Sequence, residues 1–269
     1  MSQPLLEATG VTVRFVSTGG VIHAVEDVSF ALAPGETLGI VGESGCGKST
    51  LARALLRLVE PSAGRVVFRG EDLTRLGERK MRRRRSQLQL IFQDPFASLD
   101  PRCTIQATLE EPFIVHRVGS KRERRERIAR LLVQVGLEPA AGSRYPHEFS
   151  GGQRQRIAIA RAIALEPKLV IADEPVSALD VSIQSQIINL LIDLREELGL
   201  AFLFISHDLA VVRLVSARVG VMYLGRIVEL APTAALFAAP QHPYTQALLA
   251  AIPEPVPGRK RHRRLLQGE

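Results

Sequence analysis

Tryptophan is absent, aromatic residues make up 5% of the chain, and only two cysteines, Cys46 and Cys103, occur in 269 residues. Two thiols cannot build a disulfide framework or a four-thiolate cluster site, and their scarcity fits a reducing compartment. No stretch of about 20 apolar residues is free of charge, so hydropathy gives no membrane-spanning helix. The start, Met1 to Gly10, has neither a basic segment nor the long apolar run of a secretory leader. The chain is therefore expected to stay in the cytoplasm and to meet a membrane only through partners or charge. His23, His116, His147, His242 and His262 show no metal-ligand spacing, and no internal repeat is visible.

What is there is enough for a folded protein. With 46% hydrophobic residues, the chain can bury the core of one large domain carrying an inserted subdomain and a tail. Its net charge of +7 is concentrated in the runs Arg79 to Arg85, Lys121 to Arg127 and Arg259 to Arg264. Such runs fit solvated helix faces or an anionic membrane surface, with nucleic acid second because no aromatic platform interleaves them. In the middle run Glu123 and Glu126 alternate with arginines, the pattern of a salt-bridged exposed helix.

Thr9 to Val16 alternates as a strand, and after Thr18-Gly19-Gly20 the segment Val21 to Phe30 is extended, so the chain is expected to open as antiparallel β structure. Pro34-Gly35 turns into a short apolar strand, Thr37 to Val41. Leu51, Leu55 and Leu58 then recur at helical spacing until Glu60-Pro61. A strand at Arg65 to Phe68, a helix over Leu73 to Ser86 and a strand at Leu88 to Phe92 follow. Between Asp94 and about Ala164 the pattern is helical, with segments near Ile105 to Val118, Arg122 to Val135 and Gly152 to Ala164. Strands at Leu169 to Ala172 and Ala201 to Ser206 flank a helix at Ile183 to Leu198. Val219 to Tyr223 and Ile227 to Leu230 form a hairpin, and Pro240 to Ile252 a last helical piece. Strands alternating with helices predict a parallel sheet covered on both faces.

The loop Gly42-Glu43-Ser44-Gly45-Cys46-Gly47-Lys48-Ser49-Thr50 joins the strand ending at Val41 to the helix beginning near Leu51. A glycine-rich strand-to-helix turn of this pattern is a phosphate cradle. Gly42, Gly45 and Gly47 permit positive φ and close approach, and free N–H groups plus the helix dipole surround the anion. Lys48 would reach the β and γ phosphates and the Ser49 hydroxyl would ligate Mg²⁺. Cys46 is either a reactive thiol near a helix N-terminus or a small side chain tolerated there.

Two other apolar strands end in polar chemistry, at Asp173-Glu174 and at Ser206-His207-Asp208. In a parallel sheet, ligands bind at the carboxyl ends of the strands, which gathers these groups around the phosphates. Asp173 would belong to the Mg²⁺ shell and Glu174 would orient and polarise the attacking water. His207 would donate to a γ-phosphate oxygen; the competing readings are a helix cap for the acidic pair and a structural hydrogen bond for the histidine. A second glycine-rich helix start, Ser150-Gly151-Gly152-Gln153, lies far away in the helical insert, so two chains facing head to tail could place it on the same γ phosphate.

These stretches together resemble the ATP-binding cassette ATPases. Gly42 to Thr50 is similar to the Walker A loop, Gln93 to the Q-loop, Ser150 to Gln153 to the signature motif, and Leu169 to Glu174 to the Walker B strand. Ser177-Ala178-Leu179-Asp180 resembles the D-loop and His207 the switch histidine. The resemblance implies an α/β P-loop NTPase (RecA-like) core with an N-terminal antiparallel β subdomain and an inserted α-helical subdomain. It implies a catalytic part for Glu174, His207, Gln93 and Lys48, a metal shell of Ser49, Gln93 and Asp173, and ATP with Mg²⁺. It also implies two cassettes sandwiching two ATP molecules, each held between one chain's loop and the other's Ser150 to Gln153, with Asp180 of the D-loop among the nucleotide-binding residues. Phe15 falls where the family's adenine-stacking aromatic lies. Val11, Val13 and Phe15 also share one strand face, which reads as core.

Phe92 to Arg102 and His242-Pro243-Tyr244-Thr245-Gln246-Ala247-Leu248-Leu249 resemble the dipeptide, oligopeptide and nickel importers. That resemblance implies an ATPase domain over residues 1–255, its helical insert at about 94–164, and a basic extension over 240–269, mobile at its end. Implied partners are a second cassette, two transmembrane permease subunits and an extracytoplasmic substrate-binding protein, at the cytoplasmic face of the inner membrane. Members of the family often continue into a cysteine-rich tail that sometimes holds an iron-sulfur cluster; no cysteine follows Cys103 here, so no cluster is expected. An ATPase for nickel or another small solute, an exporter ATPase, and a soluble cassette acting on nucleic acid are the alternatives.

Overall fold

The structure is a computed structural model that describes residues 3–17, 20–94 and 98–251. The expected turn at Thr18-Gly19, residues Pro95 to Ala97, the end of the last helix at Ile252 and the run Arg259 to Arg264 lie outside the described residues.

Two sheets organise the chain. Strands β1 (Leu6–Ser17), β2 (Gly20–Leu32), β4 (Ala63–Phe68) and β5 (Glu71–Asp72) form an antiparallel sheet in the order β2-β1-β4-β5. The second sheet contains β3 (Thr37–Val41), β6 (Leu88–Ile91), β7 (Leu169–Asp173), β8 (Ala201–Ser206), β9 (Arg218–Tyr223) and β10 (Arg226–Pro232). Its order is β10-β9-β3-β8-β7-β6, parallel except for the antiparallel edge strand β10. Every residue of β3, β7 and β8 is buried, as their unbroken apolar runs require of strands covered on both faces.

Helix α1 (Lys48–Leu55) follows β3 directly and buries Leu51, Ala52, Ala54 and Leu55 between the two sheets. It starts three residues before the expected Leu51 and stops at Leu55. The helix expected over Leu73 to Ser86 is split at Leu76-Gly77 into a 3-10 turn and α2 (Glu78–Arg85), because Gly77 takes an extended conformation as the N-cap. Between β6 and β7 the described residues form helices α3 (Ile105–Val115), α4 (Lys121–Gln134) and α5 (Gly151–Ile163). They share a core in which Ile105, Leu109, Phe113, Ile128, Leu132 and Ile157 are buried. Helix α6 (Val181–Leu198) leads to β8. Two short helices, α7 (Leu209–Val215) and α8 (Thr233–Ala238), were not expected, and α9 (Pro243–Ala250) was.

Some members of the two described arginine runs are bridged. Arg84 pairs with Glu71, Arg85 with Glu78, and Arg122 with Glu126. Glu123 departs from the expected ion-pair pattern: its carboxylate caps α4, accepting from Ser120 N while Ser120 Oγ accepts from Glu123 N. That use is a capping box, worth more at a helix start than another exposed pair.

Candidate functional site

The parallel register brings three strand ends to one edge. Val41, the last residue of β3, lies opposite Ser206 of β8 and Val221 of β9, and Asp173, the last of β7, lies opposite Ile205. Ile91 of β6 pairs with Ala172, so Gln93 emerges beside Glu174. Gly42 to Thr50, Gln93, Asp173, Glu174 and His207 therefore meet at the carboxyl edge of the sheet.

The loop is shaped by close backbone approach. Gly47 is the N-cap of α1 at φ +106°, and a Cβ there would lie 2.0 Å from the Ala24 carbonyl oxygen. A Cβ on Gly42 would lie 2.2 Å from the Met222 carbonyl oxygen. Gly47→Ala thus combines left-handed strain with a backbone collision and is expected to destabilise the fold by about 2–5 kcal/mol. Thermal melting checks this; an unchanged midpoint would show that the loop has room this packing denies it. Glu43, Ser44 and Gly45 are exposed, whereas Cys46 and Lys48 are buried.

Lys48 is folded back into the loop. Its Nζ donates to the carbonyl oxygens of Gly42 at 2.7 Å and Glu43 at 2.8 Å and lies 3.9 Å from Cys46 Sγ. Burial pushes the Cys46 thiol up despite the neighbouring ammonium, which supports the reading as a tolerated small side chain over the reactive thiol.

Next along α1, Ser49 Oγ donates to Asp173 Oδ1 at 2.9 Å. Burial pushes the Asp173 carboxyl up and the Ser49 hydrogen bond opposes it; Glu174 adds to the rise, Arg53 and Lys48 to the opposition. A buried carboxylate beside a hydroxyl is an all-oxygen donor pair, the kind that suits a hard cation such as Mg²⁺. These residues fit the ion that the loop pattern implies.

Glu174 is the hub of the polar cluster. Its Oε2 accepts from Gln93 Nε2 at 3.2 Å and lies 3.1 Å from His207 Nδ1. The Glu174 side chain is 11% exposed and that of His207 53%. Glu174 sits at φ +49°, in the left-handed region, and its N–H donates to Ile205 O at 2.9 Å. Ser177 N and Oγ both donate to its carbonyl oxygen, which holds the turn after β7. The acidic pair is therefore not a helix cap: α6 begins only after Asp180, which is exposed at its N-cap.

At the second glycine-rich turn, Ser150 Oγ accepts from Gln153 N at 3.3 Å and Gln153 Oε1 accepts from Ser150 N at 3.0 Å. This capping box takes up two donors, and the first-turn N–H groups of Gly151 and Gly152 take no part in it. The turn faces outward, with Ser150 and Gln153 exposed. Phe15 is 42% exposed while Val11 and Val13 are buried, which corrects the core reading of that ring. It pairs across the hairpin with Ile22, also exposed.

An apolar cleft of about 300 Å³, lined by Leu56, Leu90, Phe92, Pro112, Val115 and His116, flanks β6 and does not cover the loop. Missed from sequence were the Gln93–Glu174 contact and a bond from the loop to the far end of the chain: Glu43 N donates to Tyr244 Oη at 3.2 Å. Tyr244 belongs to the His-Pro-Tyr stretch, so its signal was present, but nothing in the sequence told what it touches.

A glycine cradle on the first parallel strand, with the acidic end of β7 two strands away across β8, defines a P-loop nucleoside triphosphatase. The family described as ABC transporter matches residues 25–177, and that described as Oligopeptide/dipeptide transporter, C-terminal region, matches residues 228–269. The chain belongs to the ABC transporter family. It is 54% identical over 272 residues to the glutathione import ATP-binding protein GsiA of Pectobacterium atrosepticum, covering 98% of this chain and 44% of that protein. The chain thus spans less than half the length of that relative. It is 54% identical over 266 residues to a putative peptide import ATP-binding protein of Brucella ovis, covering 99% and 84%. Among solved structures, the dimeric cassette MJ0796 in a post-hydrolysis state bound to ADP and Pi superposes with a TM-score of 0.77 at 31% identity, over 85% of this chain and 98% of that one. The cbiO1 protein of Clostridium perfringens, part of the transporter complex cbiONQ, gives 0.78 at 28% identity, over 88% and 92%.

Among the described residues no helix is long and apolar enough to cross a membrane.

Proposed function

We propose that this chain is the ATP-hydrolysing subunit of an importer for dipeptides or oligopeptides, working at the cytoplasmic face of a membrane. The observation that carries the reading is the match of residues 228–269 to the oligopeptide/dipeptide C-terminal region, next to an ATPase core. The partners are a second cassette, identical or homologous, two permease subunits that span the membrane, and an extracytoplasmic binding protein.

In this reading the N–H groups from Ser44 to Thr50 wrap the phosphates of ATP, and Lys48 extends to the β and γ oxygens. Ser49 and Asp173 would hold Mg²⁺, with Gln93 as a further oxygen donor, and the ion would neutralise charge on the β and γ phosphates. Glu174 orients water and takes its proton as the water attacks the γ phosphorus and the bond to the β–γ bridging oxygen breaks. His207, held on Glu174 through Nδ1, presents its other face to the γ phosphate. The exposed Phe15 stacks on adenine. Ser150, Gly151, Gly152 and Gln153 close the site from the opposite cassette, and Asp180 lies at the face between the two. Closing the dimer on ATP moves the permease between access states, and hydrolysis resets it.

Co-purification with the permease subunits, followed by ATPase assays in vesicles with the binding protein, tests the assignment. Peptide added with the binding protein is expected to raise turnover. Purification with RNA or DNA, and no response to peptide, would contradict it.

A further inference from the structure

The last described helix reaches back to the phosphate loop across most of the sequence. Residues 241 and 242 are fastened to β10, since the Glu229 carboxylate accepts from Gln241 N at 2.9 Å and from His242 N at 3.0 Å. His242 Nδ1 then accepts from Tyr244 N at 3.2 Å and caps α9. This places the Tyr244 ring, 5% exposed, against Tyr223 at the end of β9, with ring centroids 4.2 Å apart and planes at 34°. From there Tyr244 Oη accepts the hydrogen bond from Glu43 N.

The partner of that bond matters because of what lies on the other side of the same peptide unit. Glu43 N and Gly42 O belong to one planar trans amide, and Gly42 O is the acceptor of the shorter Lys48 hydrogen bond, at 2.7 Å. The amide is gripped on its two opposite edges, by Tyr244 and by Lys48. Losing either grip frees it to rotate and turns the carbonyl that braces the lysine. The hairpin supports the same loop nearby, through Gly225 N donating to Cys46 O at 3.0 Å.

We infer that Tyr244 is a positioning residue of the phosphate loop: its hydroxyl fixes the Gly42–Glu43 peptide, and through it the C-terminal segment sets the loop's affinity for nucleotide. The inference rests on the assignment of Gly42 to Thr50 as the ATP site. It gives the His-Pro-Tyr stretch a task inside the ATPase, distinct from any task of the residues that follow it. Burial also pushes the phenol up, so it stays a neutral hydrogen-bonding group.

The full chain carrying Tyr244→Phe keeps the ring and its stack and loses only the hydroxyl. ATP and ADP titrations are expected to show affinity about 3- to 10-fold weaker, the size of one neutral hydrogen bond. Turnover at saturating ATP is expected to stay within about twofold, and the melting midpoint within about 4 °C. Tyr223→Phe, which preserves the same ring pair, is expected to bind ATP as the wild type does. Wild-type affinity in Tyr244→Phe would overturn the inference, and so would equal losses in both variants or a loss that appears only with a collapsed melting midpoint. Failure of the unmodified chain to bind ATP would instead overturn the assignment of the loop.

Discussion

Glu174→Gln is expected to bind ATP as the wild type does and to hydrolyse it about a hundred- to ten-thousand-fold more slowly, the range that a positioned general base contributes. The amide fills the same space and can still accept from Gln93 Nε2, now 3.2 Å from the carboxylate. What it lacks is the capacity to take a proton from water. This side chain is only 11% exposed, so bulk water is a poor substitute for the lost base. With hydrolysis stopped, ATP stays in place and the closed pair of cassettes accumulates. Single-turnover assays read the first effect and sedimentation the second. Brisk hydrolysis by the variant would remove Glu174 from its assigned role and leave His207 as the nearest replacement.

Lys48→Ala is expected to weaken ATP binding about 10- to 150-fold, since losing a hydrogen bond to a charged group costs about 1.5–3 kcal/mol. In the resting loop the ammonium is buried and satisfied by the carbonyls of Gly42 and Glu43. It is therefore already placed beside the cradle, and the loop retains its backbone donors without it. The variant should bind weakly rather than not at all. Titration with ATP checks the value, and affinity within twofold of the wild type would contradict the placement of Lys48 on the phosphates.

The strand ends were legible because the runs before them are uniformly apolar and short, which only a strand covered on both faces explains. The glycine loop was legible because its spacing is a backbone requirement. Other features depend on partners distant in sequence. Phe15 alternates in phase with Val11 and Val13, yet irregular pairing between Ala8 and Arg14 shifts the register, and the ring lies beside exposed Ile22. The left-handed turn at Glu174 has no composition signal, because an acidic residue rarely adopts that conformation without neighbours that hold it. Helix α7 did carry one: Asp208 accepts from Ala210 N and Val211 N ahead of an apolar run. The bond from Glu43 to Tyr244 joins residues 201 positions apart and could not be read from either stretch alone.

The most direct measurement is the structure of Glu174→Gln protein with ATP and Mg²⁺, supplied with the candidate partner cassette and permease subunits. Expected are two cassettes head to tail, with Ser150 and the N–H groups of Gly151 and Gly152 from one of them on the γ phosphate held by the other's phosphate-binding loop. ATP enclosed by a single chain, with both glycine turns contributed by that chain or with the outward-facing turn left bare, would contradict the shared site.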